Sequence, residues 1–294
     1  MPNLQARPTN APKKSLGQNF LRDEHYAQRI VAAAEITPDE IAIEIGPGLG
    51  ALTQHLVQVA RKVIAIELDE SLIPQLQENL RQTLRFSENI RVLHADAMTV
   101  DFAALLQEQD EPANAPVKFV ANLPYYITSA AIRKILESGL NVRCIVLTIQ
   151  KEVAERIVAK PGDMSLLALS VQFYGVPTYI ETIPPGAFYP PPKVHSAVIK
   201  IVPHAGPKPI DADTLFYVAK AGFAMPRKQL RNNLAAGLSL SKPDADALLL
   251  ACEVDPTRRP ETLSVDEWVA IAKEWATKKT NGAANPDFGQ SAVP

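Results

Sequence analysis

Asn122, Leu123, Pro124 and Tyr125 stand in VANLPYYITS (Val120–Ser129), where an apolar run stops at a carboxamide, a proline and two aromatics. These residue types suit chemistry on the exocyclic amine of an adenine. Such an amine is a poor nucleophile because its lone pair is delocalised into the ring, so a catalyst has to favour the pyramidal form. The side-chain carbonyl of Asn122 and a backbone carbonyl at Leu123 or Pro124 would accept from the NH₂ group, while Tyr125 stacks on a base drawn out of its helix. Pro124 locks the turn and exposes the backbone carbonyl. Taken alone, the stretch is also compatible with an ordinary Asn-Leu-Pro turn beside packed tyrosines.

A second set of residues indicates the co-substrate. In EIGPGLGAL (Glu44–Leu52), Gly46, Gly48 and Gly50 alternate between a strand and a helix, so the backbone can turn sharply and approach a ligand that any β-carbon would exclude. Gly46-x-Gly48-x-x-Ala51 also satisfies a loose dinucleotide fingerprint, and Glu67, 21 residues after Gly46, would hold ribose hydroxyls with either ligand. Two acids separate the cofactors. Glu44, just before the turn, would repel a pyrophosphate but sit well beside an ammonium-bearing ligand. Asp96, in HADAM, ends the third strand, where it would accept from an adenine amine. These positions suit S-adenosylmethionine better than a nicotinamide dinucleotide. Asp96 by itself also admits the plainer reading of a helix N-cap or a loop carboxylate. His94 has no cluster of further ligands around it, so no metal is expected.

The elements that must position these residues follow from hydrophobic periodicity. Apolar runs at Ile41–Ile45, Val63–Leu68, Ile90–Leu93, Val117–Ala121 and Cys144–Ile149 predict buried strands. Helical patterns at Leu52–Val59, Ser71–Leu84 and Ser129–Leu136 separate them, which predicts an α/β fold with a parallel, doubly wound sheet. Thr178–Ile183 and Ala197–Val202, joined by the proline-dense PPGAFYPPPK, leave no room for a crossover helix and should pair antiparallel at the sheet edge. After the linker HAGPKP the pattern turns helical, at Asp213–Ala224, Gln229–Ala236, Asp244–Cys252 and Val265–Ala276. The boundaries expected are a flexible arm over 1–12, a catalytic domain over 13–204, a helical domain over 205–276 and a disordered tail over 277–294.

Composition constrains the rest. A chain of 294 residues that is 47% apolar can build one substantial core and a smaller one. Cys144 and Cys252 lie in apolar segments without metal or redox spacing and read as buried thiols in a reducing cytosol. No leader-like or membrane-length apolar segment is apparent, so a soluble, cytoplasmic protein is expected. The net charge of −2 disfavours nucleic acid as a partner, but its distribution does not. Arg7, Lys13, Lys14 and Arg22 occur without an acid over residues 1–22, and Lys220, Arg227, Lys228 and Arg231 do so over 220–231. Ordinary solvated charge remains the alternative.

Taken together, KKSLGQNFL (Lys13–Leu21), EIGPGLGALT, VIAIELD, HADAM, ANLPYYITS, QKEVAERI (Gln150–Ile157) and FYPPPKVHSAV (Phe188–Val198) resemble the ribosomal small-subunit RNA adenine dimethyltransferase family. A fainter match runs through RKQLRNNL to RPETLSVDEW. The resemblance implies a Rossmann-like, S-adenosylmethionine-dependent methyltransferase sheet with an antiparallel edge pair, plus a small all-helical C-terminal domain. It implies methylation of the N6 atoms of two adjacent adenosines near the end of that RNA, during assembly of the subunit, by a monomer. It also implies that Asn19, Leu21, Gly46, Gly48, Glu67, Asp96 and Asn122 hold the cofactor, and that Asn122, Leu123, Tyr125 and Phe188 face the target base. Lys13, Lys14, Arg22, Lys193, Arg227, Lys228 and Arg231 would then face RNA phosphate. Two departures stand out: PGDMSLLALS is shorter than the family's loop, and Met225-Pro226 replaces a more basic pair. The rivals are a large-subunit RNA methyltransferase of the macrolide-resistance type, a DNA adenine or glutamine methyltransferase, a nicotinamide-linked oxidoreductase and a ribosome-assembly factor that acts by binding.

Overall fold

The structure is a computed structural model that describes residues 12, 13, 16–84, 88–112, 114–124, 127–225 and 227–281. In chain order the elements are β1 (Phe20–Leu21), α1 (Glu24–Ala33), β2 (Ile41–Ile45), α2 (Thr53–Val59), β3 (Lys62–Glu67), α3 (Ile73–Leu84), β4 (Ile90–His94), α4 (Phe102–Glu108) and β5 (Val117–Asn122). They continue as α5 (Thr128–Leu136), β6 (Val142–Gln150), α6 (Lys151–Ile157), α7 (Leu166–Gln172), β7 (Gly175–Ile183), β8 (Phe188–Tyr189) and β9 (Ser196–Pro203). The last helices are α8 (Ala212–Phe223), α9 (Leu230–Gly237), α10 (Lys242–Leu250) and α11 (Val265–Asn281).

Seven strands form one sheet in the order β4-β3-β2-β5-β6-β9-β7. The strands from β4 to β6 are parallel, and β9 runs antiparallel to both β6 and β7, as the proline-dense connection requires. Pro177 lies in outermost β7, where its missing N–H interrupts no interior ladder. Every residue of β2 is buried, because helices cover both faces of the sheet. On one face Ile30 and Val31 of α1 and Leu56 of α2 pack against Ala42, Val63, Val120 and Val146. On the other, Phe102 of α4 meets Phe119 of β5 edge to face at 5.1 Å. The chain winds outward from β2 through β3 to β4, then returns to β5 on the opposite side of β2. Open sheets of this kind hold ligands beyond the carboxyl ends of their strands, at such a reversal.

The chain divides into two compact units, Met1–Val158 with Tyr174–Ala205, and Ala159–Phe173 with Gly206–Pro294. Residues 159–173, which the sequence pattern leaves in the catalytic segment, therefore pack with the helical unit. Gly162 N and Met164 N both donate to Glu261 O, and Phe173 meets Phe216 of α8 edge to face at 5.9 Å. The helical unit is built around fully buried Trp268 of α11, which stacks on Phe223 at 5.0 Å. Helix α11 runs on to Asn281, past the expected boundary at 276, and the remainder of the expected tail lies outside the described residues, as does the expected arm up to residue 11.

Candidate functional site

The turn from β2 into α2 sits where the sheet order reverses. Gly46 (φ +70°) and Gly48 (φ +57°) take left-handed backbone there, which a β-carbon disfavours, and at Gly48 that carbon would also stand 3.0 Å from the Phe20 ring. The bare backbone of this turn borders a cavity whose wall also includes Glu67, Asp96, Asn122 and Phe188. Its space free of protein atoms, open mouth included, is about 820 Å³.

Each of these side chains is held by its own strand end. Glu67 closes β3 and is 5% exposed. Its Oε2 accepts from Gly48 N at 3.0 Å and its Oε1 from Asp69 N at 2.8 Å. Burial pushes its pKa above the usual carboxylate value, against the pull of these donors. Asp96 follows β4, and its Oδ1 accepts from Met98 N at 2.8 Å, so it is a loop carboxylate and a cavity residue at once. Asn122 ends β5 and donates from Nδ2 to Asn19 O at 3.0 Å. That bond fixes the carboxamide plane and leaves its oxygen as the acceptor. Leu123 and Pro124 also line the cavity. The Pro124 carbonyl already accepts from Ile127 N at 3.2 Å, which makes Leu123 the better backbone acceptor of the pair. Tyr125 lies outside the described residues.

Three expectations change on the folded chain. Glu44 is not in the wall of this cavity but lines the smaller pocket beside it, with Gly46, Gly48 and Asn122; it is buried, and Thr53 Oγ1 donates to its Oε2 at 2.6 Å. Desolvation is the main reason its pKa rises to about 8, so in the ligand-free protein it is mostly a neutral acid at neutral pH. Leu21 packs in the core, pairs with Phe188 across β1 and β8, and lines the smaller adjoining pocket, while Asn19 is part of the wall of the first cavity. Lys13, expected on RNA phosphate, instead places its ammonium 2.7 Å from Asp69 Oδ1, and Gln18 Nε2 donates to Asp69 Oδ2 at 2.8 Å. The Asp69 side chain is only 2% exposed against 48% for Lys13. Although burial opposes it, the donation from Lys13, Ser71 and Gln18 lowers the Asp69 pKa to about 2.

The structure also brings in residues that were not singled out. Leu16 and Gln18 line the cavity from the segment that leads into β1, Phe20 from β1 itself, and Leu68 and Ala97 from the ends of β3 and β4. Their signal was adjacency to GQNFL, Glu67 and Asp96. Of the remaining cations, Lys14 is outside the described residues and Lys193 is exposed. Arg22 lies 5.7 Å over the Tyr189 ring. In the helical unit Arg227 and Lys228 are exposed, whereas Arg231 has Asp246 at 3.7 Å. Cys144 is buried with its thiol pKa pushed up to about 11, and Cys252 is only half-buried, not the buried thiol expected.

The donor set fits an adenosyl ligand. Glu67 is a buried acceptor for a diol, Asp96 an acceptor for an exocyclic amine, and the glycine backbone allows close approach. Among the described residues no cluster of His, Cys, Asp and Glu suits a metal ion.

Comparison with known proteins agrees with this reading. Residues 9–277 match the family described as ribosomal RNA adenine dimethylase. A ribosomal RNA small subunit methyltransferase A of Dehalococcoides mccartyi (strain CBDB1) is 46% identical over 269 residues, covering 90% of this chain and 88% of the relative. The protein of the same name from Lysinibacillus sphaericus (strain C3-41) is 42% identical over 267 residues, covering 88% and 89%. Among solved structures, a dimethyladenosine transferase from Plasmodium falciparum superimposes with a TM-score of 0.74 at 26% identity, covering 88% of this chain and 98% of that one. The 23S rRNA methyltransferase ErmE gives a TM-score of 0.66 at 27% identity, covering 87% and 99%.

Proposed function

Because the chain belongs to the ribosomal RNA adenine dimethylase family, we propose that it transfers methyl groups from S-adenosylmethionine to the N6 amines of two adjacent adenosines near the 3′ end of small-subunit ribosomal RNA. The observation that carries this reading is the convergence on one cavity of the glycine turn, Glu67, Asp96 and Asn122, each from the carboxyl end of a neighbouring parallel strand. When bound, the cofactor supplies an electrophilic methyl group. Glu67 would take the ribose hydroxyls and Asp96 the adenine amine of that cofactor, with Gly46 and Gly48 admitting it by their bare backbone.

The target amine is the task of Asn122 and Leu123. The Asn122 oxygen and the Leu123 carbonyl would accept its two hydrogens and draw the lone pair out of conjugation, lowering the barrier by electrostatics and orientation. The donation from Asn122 to Asn19 O preorganises that acceptor. No side chain has to act as a base, because the amine becomes acidic as it is alkylated and its proton can leave to water. Phe188 would form an apolar wall for the target base, with Tyr125 stacked opposite.

The same proposal puts the reaction on an assembling small subunit, catalysed by a monomer in the cytoplasm. Among the described residues, no helix is long and apolar enough to cross a membrane. The test is transfer from labelled cofactor to isolated, unmodified small subunits, followed by mapping of the modified nucleotides. Label on two adjacent adenosines near the 3′ end of the small-subunit RNA is expected. Small subunits left unlabelled, with label on large-subunit RNA offered in a parallel reaction, would favour an activity like that named for ErmE.

A further inference from the structure

Lys134 lies in α5, one element beyond the Asn122 turn, and is part-buried. Among the described residues no carboxylate pairs with it. Its ammonium instead donates to Met98 O at 2.8 Å and lies 5.3 Å over the Phe102 ring, which in turn packs on Phe119 of β5. The ammonium is thus placed by one carbonyl and one ring face, with part of the side chain in contact with solvent.

Met98 is the residue on which the Asp96 turn is folded. Its N–H donates to Asp96 Oδ1 at 2.8 Å. The peptide joining Met98 to Thr99 receives Lys134 at its carbonyl and passes its own N–H to Asp96 O at 2.9 Å. Val100 N donates to the same Asp96 carbonyl at 3.0 Å. Both the main chain and the carboxylate of Asp96 are thus held by a turn whose outer side is gripped by Lys134. A cation on the carbonyl also polarises that peptide and strengthens the bond its N–H makes.

We infer that Lys134 is a positioning residue for cofactor-base recognition: through the Met98 carbonyl it holds Asp96 in the orientation that accepts from the adenine amine. This rests on the reading of Asp96 given above. Lys134 touches neither ligand and acts only through the turn. It links the helix that follows the Asn122 turn to the loop that reads the cofactor base, so its loss should register as weakened selectivity for the base.

Binding of S-adenosylhomocysteine and of its deaminated analogue S-inosylhomocysteine, in which a carbonyl replaces the amine, tests this by calorimetry. Lys134→Met should weaken S-adenosylhomocysteine binding by about 3- to 10-fold, the size of ordinary coupling between neighbouring residues, and should narrow the preference for it over the inosyl analogue by a similar factor. Lys134→Arg, which keeps a donor and a charge, should recover much of that preference. In an Asp96→Ala background Lys134→Met should change little. Equal weakening toward both ligands, with the preference intact, would mean a general loosening of the fold and overturn the inference. Thermal melts of each variant identify that case. If Asp96→Ala shifts the preference and Lys134→Met does not, Lys134 has no such role. If Asp96→Ala itself keeps the parental preference, the premise about Asp96 fails and the inference falls with it.

Discussion

Replacing Glu44 with glutamine should stabilise the protein at alkaline pH and do little at pH 5. Glu44 lies in β2 with both faces of the sheet covered, and among the described residues only Thr53 Oγ1 is placed to donate to it, at 2.6 Å. Desolvation first, and the neighbouring Glu67 charge to a lesser degree, raise its pKa from 4.5 to about 8. The folded state therefore holds a proton that the unfolded chain releases. A carboxyl whose folded pKa is raised favours the fold fully below the unfolded pKa, and that contribution is lost as pH rises through the folded one. The window runs from about pH 4.5 to about pH 8, and the slope within it approaches about 1.4 kcal/mol per pH unit. The whole displacement corresponds to at most about 5 kcal/mol, and relaxation or water entry reduces it to roughly 2–4 kcal/mol in practice. A glutamine keeps an acceptor for Thr53 and never ionises. Urea unfolding of the parent and Glu44→Gln between pH 5 and pH 9 measures the difference, in which other titrating groups cancel. The stability difference should open in favour of glutamine from about pH 5 and level off beyond pH 8. A difference independent of pH would refute the argument and restore Glu44 as an ordinary anion beside the site.

Glu67→Ala should weaken S-adenosylmethionine binding by about 1 to 3 kcal/mol, as charge-assisted hydrogen bonds to the ribose are lost. Because the Glu67 pKa is raised, parental affinity should fall with decreasing pH sooner than an unperturbed carboxylate would allow, and calorimetry across pH reads both. Asn122→Ala should slow single-turnover methyl transfer by about 100-fold, with a smaller effect on RNA affinity. A near-normal rate would remove Asn122 from the chemistry. Replacing Arg227 and Lys228 with alanine should flatten the slope of log RNA affinity against log salt by about 1.4 to 1.8. Adding Arg231→Ala should give less than a full further step, because Asp246 stands 3.7 Å from it, and Lys13→Met should give none, because Asp69 holds its ammonium. A parental slope in the double variant would make the cluster a solvated helix face.

Local signals were sufficient for the parts of this protein that are themselves local. The period of apolar residues placed β2, β5, α2 and α3 to within a residue or two, since burial on both faces of a parallel strand leaves no choice but a continuous apolar run. The connection too short for a helix dictated the antiparallel β7–β9 pair, and the residues at strand ends marked Glu67, Asp96 and Asn122. What the linear chain could not state is which neighbour each polar group meets. Glu44 looked like an anion facing a ligand, but its alternation in β2 turns it onto Thr53 under α2, where desolvation keeps it protonated. Lys13 looked like a phosphate contact until the fold brought it 2.7 Å from Asp69, 56 positions later. Residues 159–173 carry an unremarkable helical pattern, and only their partners, Glu261 and Phe216, assign them to the helical unit. Charge and hydrogen-bond partners are long-range choices made by packing, and so tertiary structure alone decided them.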